Sequence, residues 1–375
     1  MYLPKVKKYP LLLPFSWLYS LGVWVRNKMY DMGQKEVISF EDRVPVICIG
    51  NLAVGGTGKT PHTEYLVELL HRHGIGPIAV LSRGYKRHSN GYQVAMPHVE
   101  TPVDGRVTAS LLGDESYQLY RKFPYLIVAV DADRVHGVQQ LLALPEPPQV
   151  ILLDDAMQHR HIKAGLSICL TSYGRILYKD MILPAGRLRE PATNVSRADI
   201  VIVTKCPGAL RSEEETEITA NLPTRLDQPI FYSAYRYGSL VNLATGLPCE
   251  IPHSSEVLIV AGIADPRVME DYVHKHYRLL DIFTFSDHHH FTAKDIENIQ
   301  TRLNAVNGAG YCTNDSGNEA VIITTEKDAA RLVDHPAVTD QLRRRIYFLP
   351  TEVFFLQRQD EKFDRLVLDY VLKPR

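Results

Sequence analysis

Residues 46–70 read VICIGNLAVGGTGKTPHTEYLVELL, and they constrain the fold of this chain more than any other stretch. An apolar run ends at Gly50, a glycine-rich turn follows, and Gly58-Lys59-Thr60 opens an amphipathic helical pattern. This order is typical of a phosphate-binding loop, in which backbone N–H groups and a helix N-terminus face an anion. The pattern G-x-x-x-x-G-K-[ST] begins with glycine, where this chain has Ala53. The later glycines still allow close backbone approach, so we predict a working loop.

The predicted nucleotide-binding residues all line this loop. They are Val54, Gly55, Gly56, Thr57, Gly58, Lys59 and Thr60. In such loops the lysine reaches the β- and γ-phosphates and the hydroxyl of the following residue ligates Mg²⁺. A plain strand–turn–helix corner is the structural alternative, and the spacing of the glycines excludes a G-x-G-x-x-G dinucleotide site.

Apolar runs rich in β-formers recur along the first half of the chain, with helical patterns between them. They cover residues 44–50, 77–82, 125–130, 149–155, 166–171 and 199–205. Continuous apolarity indicates strands that are buried on both faces, and therefore a parallel sheet flanked by helices. Ligands of such sheets bind beyond the carboxyl ends of the strands. The predicted fold class is α/β, with a P-loop NTPase-like parallel sheet and a second, smaller α/β domain.

The run VILLDD places Asp154 and Asp155 at the end of one of these strands. Two adjacent carboxylates at a buried strand end repel each other unless a cation lies between them. A strand-end aspartate is also the usual Mg²⁺ ligand of P-loop enzymes. We therefore predict Thr60, Asp154 and Asp155 as metal ligands, with capping of the next turn as the alternative for the aspartates.

The overall charge limits the possible partners. The chain has 375 residues, with Lys+Arg 42 against Asp+Glu 43 and a formal charge of -1. This balance gives no support to non-specific nucleic-acid binding, which usually requires a basic excess. The five cysteines form no C-x-x-C pair, which favours a reducing cytosolic environment. No protein partner is inferred.

The N-terminus carries a separate signal. Lys5, Lys7 and Lys8 precede an apolar segment at Pro10–Val25, which contains Trp17 and Trp24. At about 1.5 Å per residue this segment is shorter than the hydrocarbon core of a bilayer, roughly 30 Å. Tryptophan is enriched at the membrane interface. We expect a helix that begins near Pro14 and either embeds in one leaflet or lies in the membrane interface, with packing on the protein's own core as the alternative.

Two P-loop classes are disfavoured by single residues. Membrane-bound partitioning ATPases carry K-G-G-x-G-K-[ST], and Val54 stands where their first lysine belongs. GTPases recognise guanine through N-K-x-D, whereas here Thr204-Lys205 is followed by Pro207 in place of the aspartate.

Several further motifs share one resemblance. They are GNLAVGGTGKTP, SRGY (82–85), GDE (113–115), DDAMQHR (154–160), LPAGRLREP (183–191), FSDHHHF (285–291) and TTEKDA (324–329). In this order they resemble the tetraacyldisaccharide 4′-kinases, the lipid A 4′-kinases. The resemblance implies an enzyme that uses ATP and Mg²⁺ to phosphorylate the 4′-hydroxyl of a disaccharide lipid. It also implies two α/β domains joined by a two-stranded linker, and attachment to the cytoplasmic face of the inner membrane.

The same resemblance assigns catalytic and substrate residues. Asp114 corresponds to the family base that accepts the hydroxyl proton, and His288 to the histidine paired with it, with His289 as the second possibility. Without the resemblance, Asp114 is equally well explained as a helix cap. The expected substrate contacts are Arg83, Tyr85, Glu115, Gln158, His159 and Arg189, and a hydrogen bond that stabilises its own loop is an equal alternative for His159. The commoner D-D-G pattern is replaced here by Ala156, which we expect to alter only turn flexibility.

Four segments are predicted along the chain. Residues 1–35 form the membrane-associated helix, 36–228 a P-loop kinase core, 229–252 a β-hairpin linker and 253–375 a C-terminal α/β domain. Residues 308–318 read as a surface loop insertion. The main functional hypothesis is a lipid kinase that phosphorylates tetraacyldisaccharide 1-phosphate. The alternatives are a membrane-recruited ATPase switch that acts on a protein partner, and a soluble kinase of a small sugar or nucleoside.

Overall fold

The computed structural model describes residues 3–4, 6–97, 107–263, 266–286, 289–308 and 320–374. The chain forms two compact units, one of Met1–Arg236 with Val353–Arg375 and the other of Tyr237–Glu352. Residue 288 and all but the first residue of the 308–318 insertion lie outside the described ranges.

The elements follow the chain in this order. The strands are β1 (Ile38–Ser39), β2 (Val46–Asn51), β3 (Ile78–Ser82), β4 (Gln93–Ala95), β5 (Ile127–Val130), β6 (Val150–Asp154), β7 (Ile162–Lys163), β8 (Leu166–Ser172), β9 (Ile200–Thr204), β10 (Ile230–Tyr237), β11 (Val241–Asn242), β12 (Glu256–Ala261), β13 (Arg278–Thr284), β14 (Val321–Thr325), β15 (Ile346–Leu349) and β16 (Thr351–Phe355). The helices are α1 (Leu13–Asp31), α2 (Lys59–Arg72), α3 (Ala109–Leu112), α4 (Asp114–Lys122), α5 (Arg134–Leu142), α6 (Ser212–Asn221), α7 (Arg267–His276), α8 (Ala293–Gly308), α9 (Glu326–Leu332), α10 (Asp340–Arg343) and α11 (Asp360–Leu372).

A nine-stranded sheet is the framework of the first unit. Its strand order is β16-β10-β9-β8-β2-β6-β3-β5-β4. The pairs from β10 to β5 are parallel, and β4 is antiparallel to β5. All six apolar runs named above are strands of this sheet, so the predicted α/β fold class is confirmed. The P-loop strand β2 lies between β8 and β6, near the middle of the sheet.

Burial on both faces explains why polar and apolar residues do not alternate along these strands. Every residue of β2 is buried, and α2 covers one face with Leu66, Val67, Leu69 and Leu70. Removing each such side chain from water contributes about 1.5–3 kcal/mol. Packing from both sides therefore fixes the strand from which the P-loop extends.

The second unit contains a five-stranded sheet of order β11-β15-β14-β12-β13. Its centre is parallel, and only β11 runs antiparallel to its neighbour. The buried carboxylate of Asp328 receives the Gly262 N–H at 2.8 Å and an Arg331 guanidinium N–H at 2.9 Å. This paired carboxylate joins the carboxyl end of β12 to helix α9.

Two parts of the chain differ from the expected segments. Strands β10 and β11 belong to different sheets, so they do not pair as a hairpin within residues 229–252. The C-terminal residues Val353–Arg375 return to the first unit, although the sequence places them with the second domain. In the sequence, the second unit is thus inserted between the last two strands of the first unit. A local sequence pattern cannot show that a later segment returns to an earlier unit.

An aromatic cluster holds the returning segment in place. Phe363 of α11 is fully buried and meets Phe231 edge-on, with ring centroids 5.4 Å apart. It also lies 4.6 Å from the Phe355 ring. Next to it, the Tyr65 hydroxyl donates to Asp364 at 2.7 Å. Helix α11 is therefore a structural part of the first unit.

This cluster gives a stability prediction. Replacing Phe363 by alanine should lower the free energy of unfolding by about 3–5 kcal/mol, because it leaves a cavity among closely packed rings. Urea denaturation measures the change. Leu366→Ala, on the exposed side of the same helix, is the matched control and should cost less than about 1 kcal/mol. Equal losses for the two variants would contradict the packing role of Phe363.

Candidate active site

The P-loop connects β2 to α2, and glycine is required at two of its positions. Gly58 has φ +91°, and a Cβ there would lie 1.8 Å from the Tyr235 hydroxyl oxygen. Gly55 has φ +114°. Ala53 forms a bridge with Leu188, and the Val54 N–H donates to the Arg187 carbonyl at 2.8 Å. The loop entry is thus held by pairing with the segment LPAGRLREP, which explains why glycine is dispensable at position 53.

The two predicted metal aspartates differ in their surroundings. Asp154 is buried, and none of the described residues donates a hydrogen bond to its Oδ1. Burial raises the pKa of Asp154 to about 7, and the negative charge of Glu115 adds to the shift. A buried carboxyl oxygen with no donor is costly unless a proton or a cation satisfies it.

Asp155 follows in a left-handed conformation, with φ +50°. Its carboxylate lies 3.6 Å from Lys59 Nζ and accepts hydrogen bonds from Arg189 at 2.8 and 3.3 Å. Burial raises the pKa of Asp155, but Lys59 and Arg189 outweigh this effect and hold it below its usual range. The structure thus brings the P-loop lysine and Asp155 together, as the sequence predicts for one phosphate and metal site.

Arg189, expected to contact substrate, also reaches the end of the P-loop strand. Its Nη2 donates to the Asn51 carbonyl at 3.1 Å and contacts the Asn51 side-chain oxygen. The Asn51 side-chain amide donates in turn to the Thr57 hydroxyl at 2.6 Å. Asn51 therefore links Arg189 to the P-loop. Sequence reasoning missed this residue, because a polar residue at a strand end carries no motif.

Gln158 and His159 lie on the loop that follows β6. Gln158 donates to the Asn51 carbonyl at 2.8 Å, and its own backbone carbonyl is held by Arg26 of α1. Burial lowers the pKa of His159, and the positive charge of Arg134 adds to this effect. The loop is thereby fixed between the P-loop strand and the N-terminal helix.

Helix α1 makes several polar contacts with the same region. Ser16 donates to the Ile182 carbonyl and accepts from the Ala185 N–H, both at 3.0 Å. The Tyr19 hydroxyl donates to the Arg189 carbonyl at 3.1 Å. One side of this helix is thus bound to the segment LPAGRLREP through polar groups.

Asp114 and Glu115 begin helix α4. The preceding Gly113 has φ +86°, and a Cβ there would lie 2.8 Å from the Tyr85 carbonyl oxygen, so the SRGY segment packs directly against this helix start. The Ser82 and Ser116 hydroxyls share a hydrogen bond of 2.7 Å. The structure therefore fixes Asp114 next to the carboxyl end of β3.

A second set of contacts orients α4 relative to the P-loop helix. The buried Glu64 carboxylate of α2 accepts from Lys122 at 2.7 Å and from the Gln118 side chain at 3.0 Å. A buried carboxylate with two such donors resists displacement. The helix that carries Asp114 is thus fixed to the helix that carries Lys59.

The arginines of this region differ in exposure. Arg83 and Tyr85 are exposed beyond β3. Arg134 is buried and donates to the Asp131 and Ala132 carbonyls at 3.0 and 3.1 Å. Arg134 is therefore held by backbone carbonyl groups of the turn between β5 and α5.

The histidine expected to pair with Asp114 belongs to the second unit. His288 lies outside the described residues. The neighbouring His289 is bound within its own unit, since its Nε2 lies 3.0 Å from Asp295 and its ring stacks on Phe285. The pairing of Asp114 with either histidine therefore stays a prediction.

A further group of possible metal ligands comprises Asp133, His159 and His161. One ligand atom of each lies within 4.8 Å of the others. The guanidinium groups of Arg134 and Arg26 both lower the pKa of His159, in addition to burial. The same positive charges repel a metal ion, so this group is a poor cation site.

The comparisons with known proteins agree with one another. The family model of LpxK, tetraacyldisaccharide-1-P 4′-kinase, matches residues 9–371. A tetraacyldisaccharide 4′-kinase of Bacteroides thetaiotaomicron is 44% identical, with 98% of this chain and 94% of that protein covered. The protein of the same name from Flavobacterium johnsoniae is 42% identical, with 96% of each chain covered.

A solved structure extends this result to the fold. LpxK from Aquifex aeolicus, crystallised in complex with ATP, superposes with a TM-score of 0.70 at 29% identity. The match covers 96% of this chain and 99% of that one. The chain studied here therefore belongs to the tetraacyldisaccharide-1-phosphate 4′-kinase family, as the order of its motifs indicates.

Proposed function

We propose that this protein transfers the γ-phosphoryl group of ATP to the 4′-hydroxyl of a tetraacyldisaccharide 1-phosphate, a step of lipid A biosynthesis. The observation that carries the proposal is the family match over residues 9–371, which includes every motif of the candidate site. The proximity of Lys59 to Asp155 supports it, because phosphoryl transfer requires charge neutralisation beside the phosphates. The ATPase-switch alternative has no support in these relatives.

The transfer conserves atoms and charge as follows. The 4′-hydroxyl oxygen forms a bond to the γ-phosphorus, the bond from that phosphorus to the β–γ bridging oxygen breaks, and ADP leaves. The hydroxyl proton moves to the carboxylate of Asp114. Lys59 and the P-loop amides neutralise the charge that spreads over the phosphoryl oxygens. Alignment of the hydroxyl with the phosphate, together with this electrostatic stabilisation, accounts for almost all of the acceleration in such reactions.

Mg²⁺ is the metal of this family, and the side chains fit it. Asp154 presents a buried oxygen without a donor, Asp155 is a carboxylate held ionised, and Thr60 offers a hydroxyl on the first turn of α2. Such hard oxygen ligands suit Mg²⁺. These three residues would hold the ion, which would neutralise phosphate charge when bound.

Asp154 gives a prediction that separates stability from activity. Its pKa of about 7 lies above the unfolded value, so the wild type should lose stability as the pH rises from about 4 through 7. Asp154→Asn has no carboxylate to ionise and should be more stable at pH 8 by roughly 1–3 kcal/mol. Its kinase activity should fall at least about 100-fold.

Urea denaturation with EDTA at pH 5 and pH 8, together with a kinase assay, tests this prediction. Asp155→Asn is the control at the neighbouring carboxylate, whose pKa is lowered, so that variant should instead lose stability at pH 8. A pH dependence of stability that is the same for the wild type and Asp154→Asn would contradict the assignment.

The proposed function is tested by transfer of labelled γ-phosphate from Mg-ATP to tetraacyldisaccharide 1-phosphate in mixed micelles. Wild type should label the lipid, and Asp114→Ala should lose at least about 100-fold in kcat, the usual contribution of a general base. Asp369→Ala, at an exposed carboxylate of α11, is the control and should act like wild type. Hydrolysis of ATP without labelled lipid would disprove the kinase, and full labelling by Asp114→Ala would disprove the base.

We also propose His288 as the residue that orients Asp114. Under the same assay His288→Ala should lower kcat more than His289→Ala, because the His289 imidazole is already bound to Asp295. The substrate contacts remain proposals and comprise Arg83, Tyr85, Glu115, Gln158, His159 and Arg189. Of these, Arg189 would have to share its guanidinium between Asp155 and an anionic group of a ligand.

We further propose that α1 attaches the enzyme to the cytoplasmic face of the inner membrane, where ATP and lipid substrate meet. No helix among the described residues is long and apolar enough to cross a bilayer. Trp17, Leu21 and Trp24 are 69%, 56% and 59% exposed and share one face of α1, because they lie four and three residues apart. An exposed aromatic stripe on a helix whose other side is held by polar bonds suits binding in the interface.

Membrane attachment is tested on the same stripe. Trp17→Glu with Leu21→Glu should reduce cosedimentation with phosphatidylglycerol vesicles at least about tenfold, because charged groups are excluded from the acyl region. Leu226→Glu places the same charge at an exposed leucine elsewhere in the first unit and should leave vesicle binding unchanged. Undiminished binding by the double variant would disprove attachment through α1.

A further inference from the structure

Two side chains at the end of strand β9 donate hydrogen bonds to successive carbonyl groups of the P-loop. Lys205 Nζ lies 2.7 Å from the Gly56 carbonyl oxygen. The hydroxyl of Thr204 donates to the Thr57 carbonyl, also at 2.7 Å, in a buried position. Lys205 has φ +57°, a left-handed conformation that is unfavourable for a residue with a side chain. The backbone thus accepts strain at the residue whose ammonium group reaches the loop.

The next carbonyl, that of Gly58, is held by His62 of α2. Nδ1 of His62 lies 2.7 Å from the Gly58 oxygen, and Nε2 lies 2.9 Å from the Ser233 hydroxyl. A carbonyl only accepts, so Nδ1 must carry the proton. The Ser233 hydroxyl can donate to the remaining ring nitrogen, so Nε2 accepts from Ser233. The tautomer is therefore fixed by its neighbours.

These three contacts determine where the loop amides point. In a trans peptide the C=O of one residue and the N–H of the next point in opposite directions. Holding the carbonyls of Thr57 and Gly58 on the outer side therefore turns the N–H groups of Gly58 and Lys59 toward the concave side of the loop. Lys205 fixes the preceding peptide, whose Thr57 N–H closes a tight turn onto the Gly55 carbonyl at 3.0 Å. Concave N–H groups are what an anion requires.

We infer that His62, Thr204 and Lys205 are positioning residues that hold the P-loop in its phosphate-receiving form. This inference rests on the proposed use of ATP. All three side chains contact the P-loop through its backbone carbonyl groups, so they act through the orientation of the loop and touch no reacting atom. Loss of one contact should therefore weaken nucleotide binding while leaving the lipid site intact.

The test compares variants that differ in one donor group. Thr204→Val removes the hydroxyl at constant shape, and Thr204→Ser restores it. Lys205→Met removes the ammonium group at an exposed position, with Lys294→Met as the control at an exposed lysine of α8. For Thr204→Val and Lys205→Met the KM for Mg-ATP should rise about fivefold or more, with the KM for the lipid within about twofold. Thr204→Ser and Lys294→Met should resemble wild type.

A thermal-shift titration with Mg-ATP measures nucleotide binding without any phosphoryl transfer. It therefore tests this inference separately from the proposed reaction. The apparent Kd should rise in parallel with the KM for ATP, and for the exposed Lys205→Met the melting temperature without nucleotide should change little. An unchanged Kd for both Lys205→Met and Thr204→Val would overturn the inference. Equal rises in the KM values for ATP and lipid would also overturn the inference, and so would a wild-type protein that binds no nucleotide.

Discussion

The register between β2 and β6 is the constraint on which the rest of the site depends. Ile49 is paired with Asp154, so the strand that leads into the P-loop and the strand that carries the aspartates end at the same level. Because side chains alternate between the faces of a strand, a shift of one residue would turn Asp154 to the other face of the sheet. These strands are packed closely on both faces, and close packing resists such a shift, so it fixes the distance between lysine and carboxylate.

The residues around this pair form a continuous polar layer at the carboxyl edge of the sheet. Asn51 lies between the P-loop and Arg189, and Arg189 lies between Asn51 and Asp155. In a site of low dielectric each member polarises the next, so the groups are held more firmly than isolated pairs on a surface. The exception is Asp154, whose unsatisfied oxygen is destabilising in the isolated protein. In the proposed function this loss of stability accompanies the use of Asp154 as a metal ligand, as is common where function requires a buried charge.

The sequence predicts this fold well where the signal is local. Strong apolar runs, the Gly58-Lys59-Thr60 turn and the aspartates at the end of β6 each follow from neighbouring residues, and all lie where expected. The return of α11 could not be predicted, because the contact between Phe363 and Phe231 joins residues far apart in the chain. The contacts of Asn51 and Lys205 could not be predicted for a related reason. Asn51 bonds to Thr57 and Arg189, and Lys205 bonds to the Gly56 carbonyl, and no sequence motif identifies any of these partners.

The insertion of the second unit between β10 and β16 has a consequence for biosynthesis. The nine-stranded sheet cannot gain its outer strand, or the helix that covers it, until residues 353–375 have been synthesised. During translation the first unit therefore remains incomplete, with the surface around Phe231 uncovered, until the inserted unit has been synthesised. Early folding of that unit would bring its two ends together and lower the entropy cost of closing the sheet. The order of translation thus makes the inserted unit an aid to the completion of the unit that precedes it.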